Sequence, residues 1–197
     1  MRIVAGRFRG ARLAGPAPGE TSLRPTSDRL RETLFNILAN RPEGDPVGQA
    51  RVLDLFAGTG ALGLEALSRG ARFCLFVEER AQARALIRRN IEALSLTGAT
   101  KLFRRDATRL GPAGALGRFS LAFLDPPYGG GLAERALVSA RDGGWLEDGA
   151  VIVVEEAGKA GFAAPEGFTE TDRRRSGDSE LIFLTYGGAA SSLPPSP

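Results

Sequence analysis

The 197-residue chain contains no histidine, a single cysteine, one tryptophan and two tyrosines. Without histidine, imidazole acid–base chemistry is excluded and the usual zinc-site spacings are missing, so no metal centre is expected. One cysteine rules out an internal disulfide framework. Cys74 stands inside the apolar run F-C-L-F-V and reads as a core thiol rather than a nucleophile. No stretch approaches the ~20 apolar residues that span a bilayer, and the amino terminus lacks the apolar core of a signal peptide. A soluble, cytoplasmic protein with no membrane partner is expected.

What is present is globular in balance, with 43% hydrophobic and 25% charged residues. The length suits one domain with a substantial core and a small appendage. Lysine is scarce, Lys101 and Lys159 being the only two, so nearly all positive charge is arginine. Its placement is uneven. Residues 1–41 carry eight arginines against Glu20, Asp28 and Glu32, whereas the remainder of the chain is negative by two charges. Arginine preference alone can reflect genome composition, and a basic surface can simply be solvated. Asymmetry between the two parts points further, because a basic arm suits a phosphate backbone.

The opening R-I-V-A-G-R-F-R-G-A-R-L-A-G predicts a small hairpin displaying Arg7, Arg9 and Arg12. Pro16 to Pro25 reads as a loop, and Thr26 or Ser27 starts a helix with Leu30, Leu34, Ile37 and Leu38 on its apolar stripe. A Pro/Gly-rich linker follows, and from Arg51 the pattern alternates. Strands are expected at 52–56, 73–77, 101–104, 121–124 and 151–155, with helices at 61–68, 81–96 and 131–140 and a short one near 107–110. Such βαβ alternation predicts an α/β fold, a mainly parallel sheet with helices on both faces. Two last strands, 168–174 and 180–186, form an antiparallel hairpin around S-G-D-S. The expected organisation is an extension over 1–41, a catalytic domain over 42–186 and a small, proline-rich tail over 187–197.

Four strand ends carry chemistry. In V-L-D-L-F-A-G-T-G-A-L-G, a strand ending at Asp54–Phe56 meets a turn at Gly58 and Gly60 and then a helix, the arrangement that brings backbone N–H groups to a nucleotide-like ligand. Gly58, Gly60 and Gly63 also satisfy G-x-G-x-x-G, so a dinucleotide is weighed as well. Asp54 decides between them, since a carboxylate suits a cationic amino group and gives a pyrophosphate nothing. An amino-acid-bearing ligand such as S-adenosylmethionine is favoured. Glu78, closing the second strand, suits ribose hydroxyls, with Glu79 as the adjacent alternative. Asp106, past the third strand, suits an adenine amine while the Ala107 N–H reaches a ring nitrogen; it is also a good cap for the short helix. After the fourth strand stands Asp125-Pro126-Pro127-Tyr128, an acid, a carbonyl freed by proline and a flat ring, suited to a planar base bearing an amino group. Taken alone, this stretch is also ordinary turn chemistry.

These residues resemble class I, Rossmann-like S-adenosylmethionine-dependent methyltransferases. The stretch D-P-P-Y is similar to the motif of enzymes that methylate exocyclic amines of nucleobases. R-I-V-A-G-R-F-R-G, L-R-P-T-S-D-R-L-R-E-T-L-F-N, D-L-F-A-G-T-G-A-L-G-L-E-A-L-S-R-G-A and S-G-D-S-E-L resemble the RsmD family, from Arg2 to about Tyr186. The resemblance implies a seven-stranded sheet and in-line methylation of a guanine N2 in small-subunit (16S) ribosomal RNA, naked or in an assembling particle. It further implies that Asp54, Phe56, Gly58 and Gly60 line the methionine side of the cofactor, that Glu78 holds the ribose and that Asp106 holds the adenine. Asp125, Pro126 and Tyr128 would then hold the target base, with Asp125 also bordering the cofactor. Arg7, Arg9, Arg12, Arg24 and Arg29 would meet RNA. One active site per chain suffices, so a monomer is expected. The chain departs from the family at Ser176, where relatives often place a tyrosine, and Arg173 to Arg175 offer a phosphate contact instead. Three readings compete: adenine-N6 methylation of RNA or DNA, an NAD-dependent oxidoreductase, and a non-enzymatic RNA-binding module.

Overall fold

The computed structural model describes residues 1–16, 27–127, 130–158 and 161–187. Arg24, Tyr128, nearly all of the loop expected at 16–25 and tail residues 188–197 lie outside the described residues.

Seven strands form one sheet: β1 (Arg51–Leu55), β2 (Phe73–Val77), β3 (Thr100–Phe103), β4 (Phe119–Leu124), β5 (Leu146–Ala157), β6 (Phe168–Ser176) and β7 (Ser179–Tyr186). Their order is β3-β2-β1-β4-β5-β7-β6. The first five are parallel, and β7 and β6 add the expected antiparallel hairpin at the edge. Helices α1 (Asp28–Ala39), α2 (Ala61–Ser68) and α3 (Ala81–Ala93) bury apolar residues on one face of the sheet. The other face is covered by α4 (Leu132–Asp142) and the short 3-10 turn at Ala107–Arg109. Coverage on both faces explains why the central strands are near-continuous apolar runs. Strand order reverses between β1 and β4, and at such a switch point the adjoining loops part into a crevice at the carboxyl ends.

Several boundaries differ from the sequence expectation, each for a local reason. Phe56 adopts a left-handed φ of 57°, so β1 stops at Leu55 and Phe56 belongs to the loop. α3 stops at Ala93 because Ser95 also turns left-handed, at φ 55°, while Leu94 and Leu96 stay buried in the turn. β3 spans 100–103 rather than 101–104. β5 begins at Leu146, five residues early, through an irregular stretch in which Phe119 pairs with Leu146 but Leu121 with Val151.

The amino-terminal segment, expected as a small hairpin, closes on itself as a compact loop held by a single antiparallel bridge. One bridge joins Arg2 to Arg12, supported by Ile3 N–H donating to the Ala11 carbonyl at 2.9 Å. Ile3 and Leu13 are buried in the same cluster as Val52 and Leu64, so this extension shares a core with the sheet. Glu65 of α2 fixes it. The fully buried Glu65 carboxylate accepts from Val4 N at 2.8 Å, Ala5 N at 2.9 Å and Arg69 Nε at 2.8 Å. Gly6 is pressed so closely on α2 that a Cβ there would sit 2.0 Å from the Ser68 carbonyl oxygen.

Candidate active site at the strand ends

The four acids singled out above fall at or just past the carboxyl ends of β1, β2, β3 and β4, which are neighbours in the sheet. Asp54 is the deepest, 2% exposed, with Oδ2 accepting from Gly63 N at 3.0 Å. Burial drives its pKa well above the ordinary carboxyl value; the Gly63 N–H partly offsets this, while the charges of Asp125 and Glu78 push it further up. A buried acid facing two others is a poised partner for a cation.

Helix α2 can approach this closely only because residue 63 is glycine. A Cβ there would lie 2.5 Å from both Cys74 Sγ and Phe76 Cε1, and 3.0 Å from Asp54 Oδ2. Ahead of it, Gly58 and Gly60 have φ of 55° and 78°, the second forming the left-handed cap of α2. Glu78, 4% exposed, turns inward onto this loop: Oε2 accepts from Gly58 N at 2.8 Å and Oε1 from Arg80 N at 2.8 Å. Glu79 is exposed. Alternation along the chain thus directs Glu78, not Glu79, at the glycine turn. Asp106 caps the 3-10 turn, its Oδ1 accepting from Thr108 N at 2.8 Å and Thr108 Oγ1 at 2.7 Å. The hydroxyl bond comes first among the causes that hold its pKa below the usual range. Ala107 is buried beside it. Past β4, Asp125 is half-buried and Pro126 buried.

Sequence reasoning missed Asn90 and Thr59. Asn90, 1% exposed on α3, accepts from Ala14 N at 2.7 Å and donates to the Ala14 carbonyl and the Thr59 carbonyl, each at 3.1 Å. It therefore ties the amino-terminal segment to the residue between Gly58 and Gly60. Its signal was a polar residue on the buried stripe of Ala83, Ile87 and Ile91.

Arg7, Arg9, Arg12 and Arg29 are exposed. Arg7 N–H donates to the Ser68 carbonyl at 2.9 Å, while its guanidinium stands over the Phe8 ring at 4.4 Å. Arg31 behaves differently: it is fully buried and donates to the Arg2 carbonyl and to Asp28. Of Arg173 to Arg175, where a phosphate contact is expected, two are paired within the hairpin: the Arg173 guanidinium bonds Glu170 and Glu180, each at 2.8 Å, and Arg174 pairs with Asp172 at 2.9 Å.

Comparison with known proteins follows the same lines. The profile of the family described as conserved hypothetical protein 95 matches residues 1–185. Ribosomal RNA small subunit methyltransferase D of Escherichia coli K12 is 42% identical over 156 residues, covering 79% of this chain and 74% of that protein. The protein of the same name from Haemophilus influenzae is 34% identical over 179 residues, covering 90% and 89%. Among solved structures, a candidate methyltransferase from Escherichia coli, yhhF, matches with a TM-score of 0.80 at 31% identity, over 96% of this chain and 99% of its own. A hypothetical protein from Thermus thermophilus gives 0.69 at 30% identity, over 93% and 98%.

Proposed function

The chain belongs to the conserved hypothetical protein 95 family, the RsmD methyltransferases, and on that premise we propose that it methylates the exocyclic N2 amine of a guanine in small-subunit ribosomal RNA with S-adenosylmethionine as donor. The observation that carries this is the row of carboxylates, Asp106, Glu78, Asp54 and Asp125, on four adjacent strand ends. The residues fit that donor. Buried Asp54 suits its ammonium group, Glu78 its ribose hydroxyls, and Asp106 with the Ala107 N–H its adenine, while Phe56, Gly58 and Gly60 border the methionine side. A dinucleotide's pyrophosphate would meet the same negative row, which disfavours an NAD oxidoreductase. An RNA-binding module without a ligand would likewise place four acids against phosphate.

Bound here, S-adenosylmethionine supplies an electrophilic methyl group. The chain's own residues prepare the acceptor. Guanine's amine is a poor nucleophile because its lone pair is delocalised into the ring. Asp125 and the Pro126 carbonyl would accept from its two N–H groups, drawing the nitrogen toward sp³ character and baring the lone pair. As the N–C bond forms, leaving S-adenosylhomocysteine, one N–H proton would pass to the Asp125 carboxylate. Tyr128 stacks on the ring. Positioning and electrostatics then supply most of the catalysis. A duplex stack would hide the amine, so the target is unpaired or flipped out. Arg7, Arg9, Arg12, Arg24 and Arg29 contact the RNA phosphates.

The test is transfer of a radiolabelled methyl group to small-subunit RNA, to assembling particles and to DNA, followed by nucleoside analysis. N2-methylguanosine is the expected product. N6-methyladenosine would keep the amine chemistry and overturn the choice of base.

A further inference from the structure

Outside the strand-end site and the amino-terminal segment, one region carries charge that the fold leaves unbalanced. Residues 81–109, comprising α3, β3 and the following 3-10 turn, hold seven basic residues against only Glu92 and Asp106, whereas Arg80 just ahead of them is paired with Glu78 at 3.1 Å. That excess of five positive charges lies within a part of the chain that is negative overall. Arg88, Arg89, Lys101, Arg104, Arg105 and Arg109 are all exposed.

Elsewhere several arginines find carboxylates, Arg41 with Glu43, Arg69 with Glu65, Arg141 with Asp142 and Arg174 with Asp172. Among the described residues, Arg88, Arg89 and Arg104 have no carboxylate at ion-pair distance. Arg84, four residues before Arg88 on α3, is buried and donates to the Glu78 and Glu79 carbonyls, so it adds a like charge behind the exposed pair and no partner for it. Along β3 and just past its end, Lys101 Nζ and the Arg105 guanidinium each lie 5.4 Å from the centre of the Phe103 ring between them. Basic residues on an edge strand also discourage edge-to-edge pairing. That role accounts for Lys101 and not for Arg88 and Arg89, which sit on a helix.

This face also adjoins the amino-terminal segment. Asn90 binds both polar groups of the Ala14 backbone, so Arg12 stands two residues from a junction at which Arg89 is the next residue on α3. At its other end it reaches Asp106, on the rim of the strand-end site.

We propose that α3 and the edge strand β3 form a second polyanion-binding face, which holds the sugar–phosphate backbone of the substrate RNA beside the donor pocket and continues the basic surface of the amino-terminal segment. This rests on the reading of the substrate as RNA. The experiment compares Arg88→Glu/Arg89→Glu and Arg104→Glu with Arg72→Glu/Arg118→Glu. The last two arginines are exposed just ahead of β2 and β4, at the opposite end of the sheet. Binding of a small-subunit RNA fragment is titrated across salt concentrations, with S-adenosylhomocysteine affinity measured in parallel. The α3 pair is expected to weaken RNA binding about tenfold near physiological salt, and each lost arginine to lower the salt slope by about one. The charge-matched control should stay within about twofold, and S-adenosylhomocysteine affinity should be unchanged in every variant. Equal losses in the α3 pair and the control would overturn the inference, showing a general charge effect. Wild-type protein that fails to hold the RNA at all would overturn the substrate reading, and this face with it.

Discussion

Replacing Glu65 by glutamine is the sharpest probe of how the amino-terminal segment is held. The side chain keeps its volume, so no cavity forms. Its two oxygens accept from two backbone N–H groups and from Arg69 in a fully buried position. An amide offers one oxygen and one NH₂, so in either flip at least one N–H of Val4 or Ala5 faces another donor. An orphaned buried donor costs about 1–3 kcal/mol, and losing the charge from the Arg69 bond about 1 kcal/mol more. The sum is about 2–4 kcal/mol. For a domain of this size each kcal/mol moves Tm by about 2–4 °C, so a fall of roughly 5–15 °C is expected in differential scanning calorimetry. The exposed Glu92 provides the control, and Glu92→Gln should shift Tm by less than about 1 °C. Hydrogen exchange should report lost protection at Val4 and Ala5 first. RNA affinity should drop because Arg7 and Arg9 lose their frame. A Glu65→Gln protein within 1 °C of wild type, with those amides still protected, would refute the claim that this carboxylate anchors the segment.

Asp54→Asn keeps an acceptor for Gly63 N–H but removes a charge that burial disfavours. Because the folded-state pKa is raised, the acid costs nothing below its unfolded value near 3.8 and destabilises progressively as pH climbs from there to the folded value. The variant should therefore match wild type in stability near pH 3 and exceed it at pH 7, while binding S-adenosylhomocysteine at least tenfold more weakly. Stability equal at both pH values would show that the burial cost is absent. Asn90→Ala leaves the Ala14 and Thr59 groups unpaired and should lower donor-analogue affinity several-fold although Asn90 lies outside the expected donor contacts. Unaltered affinity by calorimetry would mean that the glycine turn holds its shape without it.

Much of the fold was legible because the sheet is covered on both faces. That covering made Val52 to Leu55, Phe73 to Val77 and Phe119 to Leu124 near-continuous apolar runs, broken only by Asp54 and Ser120, that sequence alone locates. What escaped depended on contacts between distant segments. Glu65 and Asn90 are polar residues on buried helix surfaces, and only the backbones of residues 4, 5, 14 and 59 explain them. Neither partner is visible in local pattern. Phe56 looked like the end of a strand because its side chain is apolar, whereas its left-handed φ of 57° belongs to the loop beyond. The early start of β5 was hidden because Glu147, Asp148 and Gly149, polar or small, break the apolar pattern within an irregular strand. The candidate acids fall at the strand ends because Asp54, Glu78 and Asp125 end or follow apolar runs and Asp106 follows the short β3, and chain order together with a parallel sheet then brings them to one edge.

Turnover by Asp125→Ala, measured beside its affinity for S-adenosylhomocysteine, tests the central claim most directly. Methyl transfer to small-subunit RNA should fall by at least a hundredfold, on the order expected for losing one preorganised acceptor at the reacting group, with donor-analogue affinity kept within a few-fold. Transfer within a few-fold of wild type would contradict the assignment of the reacting amine to Asp125.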